Sequence, residues 1–319
     1  MTAVLDEQLI DDRETTPESL YLRWERQNWS TQDLAMAADR PAWQALRPFL
    51  HQELRAALVE LAVGEVAVAR LLTPLVYAAP TQAAQFYLSS QLVDESRHSI
   101  FFLGYLQAVE GSTEPTHAYA RRCRADASAA TVELFDAYLL EQTERVRRDP
   151  DDLDAWYAAV TTYHVVAEGA LALVVLRSVA EAVRRCGQLP VLAEGLRNVI
   201  RDESRHVGFG VWAMRHAVVD GRRRLVGDQV LDAVPYVVHV LVGPERRNPS
   251  ALPMVVRARG RQLRDQWDTA RDALLRRVRA AGLDDVDAQV TEVWHAAEER
   301  AVADYENRHG VPHPIRSLN

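Results

Sequence analysis

The stretch Ala155–Leu176, "AWYAAVTTYHVVAEGALALVVL", runs for 22 residues with one carboxylate, Glu168, between Asp154 and Arg177. Few environments accept such a segment. It is long enough to span a bilayer, but a central glutamate, two threonines and His164 are costly in lipid. A helix buried on all sides of a large helical core has the same composition, and no second comparable segment occurs. The stretch is therefore read as a core helix, and no membrane span is expected. The core reading leaves a buried carboxylate, which needs a proton, a partner or a metal.

The rest of the chain repeats the helical period. Alternating apolar runs closed by Asn-Gly or Asp-Gly turns are missing, so strands are not expected. Helices are expected over Ala42–Tyr77, Thr81–Glu110, Pro115–Arg148, Asp152–Gly187 and Pro190–Asp220, then Leu225–Val242, Ala251–Ala281 and Asp285–Asn307. Breakers stand between them at Pro80, Gly111, Pro150, Gly187 with Pro190, and Gly243-Pro244. Pro74 is expected to kink or end the first of these helices. No Gly/Ser/Pro-rich linker divides the 319 residues. The expected fold is all-α, with residues 1–20 as a mobile arm, 21–308 as one helical domain and 309–319 as an extended tail.

Charge and cysteine content narrow the function. A net charge of −8 without a basic face disfavours nucleic acid. All 37 basic residues are arginine, so lysine-dependent phosphate-loop and Schiff-base chemistry are disfavoured. "GRRRL" at Gly221–Leu225 reads as a solvated helix end. Cys123 and Cys186 are too few for a disulfide framework, and the acidic N-terminus resembles neither signal nor transit peptide. A cytoplasmic protein is expected.

"DESRH" occurs twice, at Asp94–His98 and Asp202–His206. Each copy contains Glu-x-x-His, which places a carboxylate and an imidazole about 60° apart on one helix face, where they can share one ion. A second glutamate on an apolar face precedes each copy. Glu65 lies among Leu58, Leu61, Val68 and Leu72 at helical spacing, and Glu168 lies in the core helix. Two helix pairs thus each offer one Glu followed by one Glu-x-x-His. That is the ligand set of dimetal-carboxylate bundles: Glu65, Glu95, His98, Glu168, Glu203 and His206. Oxygen-rich ligation with one imidazole per ion suits iron or manganese. Asp94 and Asp202 are candidate acceptors for an imidazole N–H. His164, four residues before Glu168, is a candidate further ligand or supporting donor beside the reading of a satisfied core histidine.

With these residues in place, the chain resembles the ribonucleotide-reductase small-subunit superfamily, which is ferritin-like. Within it the chain is most similar to the small-subunit-like ligand-binding oxidases. "GEVAVARLLTPLV", "DESRHSIFF", "YHVVAEGALAL" and "RDESRHVGFG" correspond to that family's four metal-helix motifs, so the resemblance spans about Ala42–Val218. It implies a ferritin-like four-helix bundle with additional helices, a di-iron or Mn/Fe centre on the six residues, O2 as co-substrate, an external electron donor and a homodimer. It also implies a bound fatty acid and a Val–Tyr cross-link, for which Val68 and Tyr163 stand at the matching positions. Two positions depart from the oxidases: Leu176 replaces a tyrosine and Val66 an acidic residue. A reductase subunit would carry its radical tyrosine where Phe102 stands, and arylamine N-oxygenases carry a histidine where Val199 stands.

The function expected is O2-dependent oxidation of a small, largely apolar or natural-product-type molecule. N-oxygenation on the same scaffold, including azoxy or nitro formation, is the alternative; a reductase subunit or ferritin-type iron store fits less well. Val66, Val68, Phe101, Phe102, Ala172 and Leu176 are expected to wall the pocket.

Overall fold

A computed structural model describes residues 14–242 and 253–318. Among these the chain is helical, without strands. Four long helices form the centre: α3 (Pro48–Tyr77), α4 (Gln82–Glu110), α7 (Leu153–Cys186) and α8 (Pro190–Val219). They are preceded by α1 (Pro17–Gln27) and the short α2 (Arg40–Gln44). Between α4 and α7 lie α5 (Thr116–Asp126) and α6 (129–148). After α8 come α9 (Arg223–Leu241), α10 (Pro253–Ala280) and α11 (Asp287–His309). This is the expected all-α bundle with additional helices. In sequence α4 follows α3 and α8 follows α7, and each neighbouring pair packs together.

The helix ends have local causes. The Thr81 side chain accepts from Ala84 N at 3.1 Å and starts α4, and Asp152 accepts from Ala155 N at 3.0 Å to start α7. Gly111 and Gly187 take left-handed backbone at the C-caps of α4 and α7. The start of α8 is held from afar: buried Asp39 accepts from Leu192 N at 2.9 Å, Val191 N at 3.3 Å and Tyr105 Oη at 3.0 Å. A carboxylate at a helix N-terminus meets unpaired N–H groups and the positive end of the dipole.

Several elements differ from expectation. The segment 115–148 is two helices, broken at Ala127-Ser128, where Ser128 caps α6. The segment 42–77 is broken between Ala45 and Arg47, which separates α2 from α3, while α3 ends at Tyr77 as expected, with Pro74 in its last turn. Residues 17–20, assigned to the mobile arm, already belong to α1, and Leu20 is fully buried. The C-terminal stretch is docked rather than extended: Pro314–Leu318 form a 3₁₀ turn, and buried His313 lies 3.0 Å from Val242 O. Residues 1–13 and the Gly243-Pro244 breaker lie outside the described residues.

Helix α7 is long and apolar enough to cross a membrane by length and composition, yet 89% of its apolar window is buried inside the protein. Its middle, Thr161–Ala172, is wound as a π-helix. Close crossings need glycine here. A Cβ on Gly210 of α8 would lie 2.4 Å from His164 Cβ on α7, and one on Gly195 would lie 2.1 Å from the Phe101 ring. Gly210→Ala is therefore expected to cost about 1–3 kcal/mol by forcing α7 and α8 apart. Chemical denaturation checks this, and wild-type stability would contradict the packing described.

Candidate metal centre

The six expected ligands meet inside the four-helix centre. Glu65 comes from α3, Glu95 and His98 from α4, Glu168 from α7, and Glu203 and His206 from α8. All six are buried, none more than 8% exposed. The neighbours expected to bury Glu65, namely Leu58, Leu61, Val68 and Leu72, are themselves buried. Two overlapping groups form: Glu65, Glu95, His98 and Glu203, and then Glu95, Glu168, Glu203 and His206. In each, the ligand atoms lie within 4.8 Å of one another. Glu95 and Glu203 belong to both groups.

The π-helical turn of α7 sets up one wall. Hydrogen bonds from i to i+5 widen the helix, so residues five apart come onto one face. Tyr163 and Glu168 are five apart, and both line the same cavity. The Tyr163 hydroxyl donates to Glu95 Oε1 at 3.1 Å. Burial, then the nearby Glu168 and Glu95, push this phenol well above its usual range, so it stays a neutral donor.

The repeated motif gains its meaning from a crossed pairing. His98 Nε2 lies 3.2 Å from Asp202 Oδ2, and His206 Nε2 lies 3.3 Å from Asp94 Oδ2. The aspartate of each copy thus holds the histidine of the other. Burial would raise both aspartates, but the histidine contacts and Arg205 outweigh it and hold both below the usual carboxylate range. An ionised carboxylate only accepts, so each imidazole places an N–H at Nε2 and turns Nδ1 toward the glutamates.

Arg205 ties the two halves together. Its buried Nη2 donates to Asp94 Oδ2 at 3.0 Å and to Asp202 Oδ1 at 2.7 Å. Arg97 adds a 2.7 Å bond to Asp94 Oδ1. The segment "WERQNW" closes the network from outside. Trp24 Nε1 donates to Asp94 at 2.9 Å and Trp29 Nε1 to Asp202 at 2.7 Å. Gln27 Oε1 and Asn28 Oδ1 accept from Arg205 and Arg97 at 2.7 Å and 2.5 Å. Sequence reasoning missed these residues. They sit in a polar stretch with no period, 69 or more positions from their partners in the chain.

Gln91, fully buried, was also missed. Its amide donates to Glu95 Oε1 at 3.1 Å and Glu168 Oε1 at 3.0 Å, joining α4 to α7. His164 lies one contact further out, with Nε2 2.9 Å from Gln91 Oε1. It supports the ligands through Gln91 and is not gathered into either ligand group. Burial drops it to about 3, so it is neutral.

The donor set fits two metal ions. His98 Nδ1 lies 3.3–3.6 Å from oxygens of Glu65, Glu95 and Glu203, and His206 Nδ1 3.3–3.6 Å from Glu95, Glu168 and Glu203. Both Nδ1 atoms, Glu168 Oε2 and Glu203 Oε2 are buried without a hydrogen-bond partner. Such atoms are costly unless a cation takes them. The electrostatics agree. Burial would lower both imidazoles, but the carboxylates around them drive both well above their usual range. Burial raises Glu65 to about 8 and Glu168 well above its usual range, while Glu203, despite burial, is held near 2 by His206. The cluster draws in positive charge, as protons or as metal.

Above the carboxylates lies an apolar cavity of about 70 Å³. Val68, Tyr163 and Ala172 line it as expected, joined by Phe135, Leu171 and Val240. The other expected wall residues do not. Val66 is 45% exposed, since one step along α3 turns it away from Glu65. Phe101 and Phe102 lie one turn beyond His98, in a separate apolar cluster with Trp43 and Tyr105. Leu176, one turn beyond Ala172, joins the same cluster.

No protein-family model matches the chain. Solved structures do match its fold. One is an R2-like ligand-binding oxidase with aerobically reconstituted metal cofactor after photoconversion, with 19% identity and a TM-score of 0.63, covering 91% of this chain and 94% of that one. A substituted form of such an oxidase with aerobically reconstituted Mn/Fe cofactor also matches, with 19% identity, a TM-score of 0.64, and coverage of 91% and 95%. At this identity the likeness establishes the ferritin-like helical fold.

Two predictions follow from the crossed pairing and the proton load. Asp202→Asn should weaken the ion held by His98 about 10–100-fold, and Asp94→Asn the ion held by His206. A stepwise metal titration resolves the two, and equal loss at both sites in each variant would contradict the crossing. Metal must also displace protons from His98, His206 and Glu65, all raised. Apparent affinity should therefore fall as pH drops through about 8. Calorimetry in buffers of different ionisation enthalpy should show net proton release, and pH-independent binding would refute this.

Proposed function

We propose that the chain is a dimetal-carboxylate enzyme that uses O2 to oxidise a small, largely apolar molecule. The observation that carries the reading is the pair of buried, unpartnered imidazole Nδ1 atoms turned into two overlapping carboxylate groups. Glu65 and His98 would hold one ion and Glu168 and His206 the other, with Glu95 and Glu203 within reach of both. Four carboxylates balance the charge of two divalent ions. Oxygen-rich ligation with one imidazole each favours iron or manganese, in line with the Mn/Fe cofactor of the structures that share the fold. Bound there, two redox-active ions supply the electrons that reduce O2, replenished by an external donor.

The chain's own groups set the conditions. Asp94, Asp202 and Arg205 fix both imidazoles, so neither nitrogen is free to rotate away. Gln91 and Tyr163 both donate to Glu95 Oε1, and Gln91 also donates to Glu168 Oε1. Tyr163 is a neutral O–H at the cavity edge, able to keep or pass a proton beside Glu95. Apolar walls keep bulk water from the reacting molecule. Free space of about 70 Å³ is below the roughly 150 Å³ of a cavity that holds benzene, so the substrate's reacting end is narrow.

Protein loaded anaerobically with Fe(II) should hold two ions per chain, consume O2 on exposure and show a transient visible absorption band. Glu203→Ala should cut metal content at both sites, since its carboxylate serves both. Less than one metal ion per wild-type chain would sink this reading.

A further inference from the structure

One side chain stands between two spaces. On the far side of α3 from Glu65 lies an apolar recess of about 270 Å³, bounded by α3, α5 and α6. Val63, Val66, Ala67 and Leu71 of α3 and Leu140 of α6 line it, so Val66, turned away from the carboxylates, belongs here. On the near side lies the cavity of about 70 Å³ beside the ligand glutamates. Among the described residues, Phe135 of α6 is the one that lines both.

The division has a local cause. Gly64 sits on the edge of α3 between its two faces and brings no side chain. Its neighbours at helical spacing divide: Leu61 and Val68 line the cavity, Ala67 and Leu71 the recess. The tip of the Phe135 ring fills the place left free, since a Cβ on Gly64 would lie 3.1 Å from its Cζ and 3.2 Å from its Cε2. Phe135 is half-buried and belongs to a π-helical turn, Leu134–Tyr138, whose first and last residues are buried. The turn is thus anchored on either side of the residue that reaches α3.

Volume then sets a length. A cavity of about 150 Å³ holds benzene, which is roughly 25 Å³ per carbon. The inner space alone takes about three carbons of an apolar chain, and the two spaces joined would take on the order of a dozen. We propose that Phe135 is a specificity-determining residue: its ring closes the cavity toward the recess and limits the apolar chain held beside the carboxylates to about three carbons. This rests on the dimetal reading for what the chain is presented to. Removing the ring joins the two spaces, and a chain continuing over Gly64 into the recess then gains contact with each added carbon.

The test uses full-length protein, wild type and Phe135→Ala, metal-free and loaded anaerobically with Mn(II), with metal content measured on each sample. Calorimetry follows binding of the n-alkanols from ethanol to 1-octanol. A buried CH2 tightens binding about fourfold. Wild-type affinity should climb by about that factor per carbon to 1-propanol and then level off. In Phe135→Ala it should keep climbing, so that 1-octanol binds at least about tenfold tighter than to wild type. The proposal is overturned if wild-type affinity climbs unbroken to 1-octanol, if no alkanol binds wild type, or if the break stays at the same length in Phe135→Ala. Should that variant fail to fold, Phe135→Leu, which keeps part of the apolar contact, takes its place and should break at a longer chain than wild type. Metal content below one ion per chain would reject the dimetal reading; the chain-length profile, read on metal-loaded and metal-free protein alike, judges Phe135 on its own.

Discussion

Two hydrogen bonds, His98 to Asp202 and His206 to Asp94, govern the arrangement of the whole centre. Each ties an imidazole on one helix pair to an ionised carboxylate on the other. They fix which imidazole nitrogen carries hydrogen and which faces the glutamates, a choice that determines whether the cluster can bind metal. They also fasten α4 to α8 at one level. The buried guanidinium of Arg205 bridges both aspartates, so the two halves share one cation. Two isolated buried aspartates would be destabilising; paired with histidine, arginine and tryptophan N–H groups they are satisfied.

The same logic explains the outer segment. Trp24, Gln27, Asn28 and Trp29 complete the hydrogen bonding of the groups that orient the histidines. Indole N–H donors suit this place because their rings can pack on the bundle: Trp29 stacks near His98 and meets Phe101 edge-on. The order of the centre therefore extends beyond the four helices that carry its ligands.

How much of this the sequence discloses depends on distance along the chain. Glu65 and Glu168 stood out because a carboxylate on an apolar helical face violates the local pattern. The Glu-x-x-His pairs stood out because their spacing is itself the geometry. The crossing of Asp94 and Asp202 did not, since a repeat read within one helix places each aspartate beside its own histidine. Val66, Phe102 and Leu176 were misplaced for a related reason. One residue along a helix turns a side chain by about 100°, and each further turn carries it about 5.4 Å along the axis, enough to leave the cavity. The π-helical turn was equally hidden, although the five-residue spacing of Tyr163 and Glu168 was a trace of it. Trp24 and Trp29 carried no periodic signal at all.

The central claim is that the crossed aspartates present both Nδ1 atoms to metal. A crystal structure of the protein grown with iron and manganese, with anomalous data at both absorption edges, tests it most directly. The account predicts two anomalous peaks per chain, one coordinated by His98 Nδ1 and the other by His206 Nδ1, with Glu95 and Glu203 reaching both. Peaks absent from the cluster, or ions bound through Nε2 with the aspartate contacts broken, would contradict it.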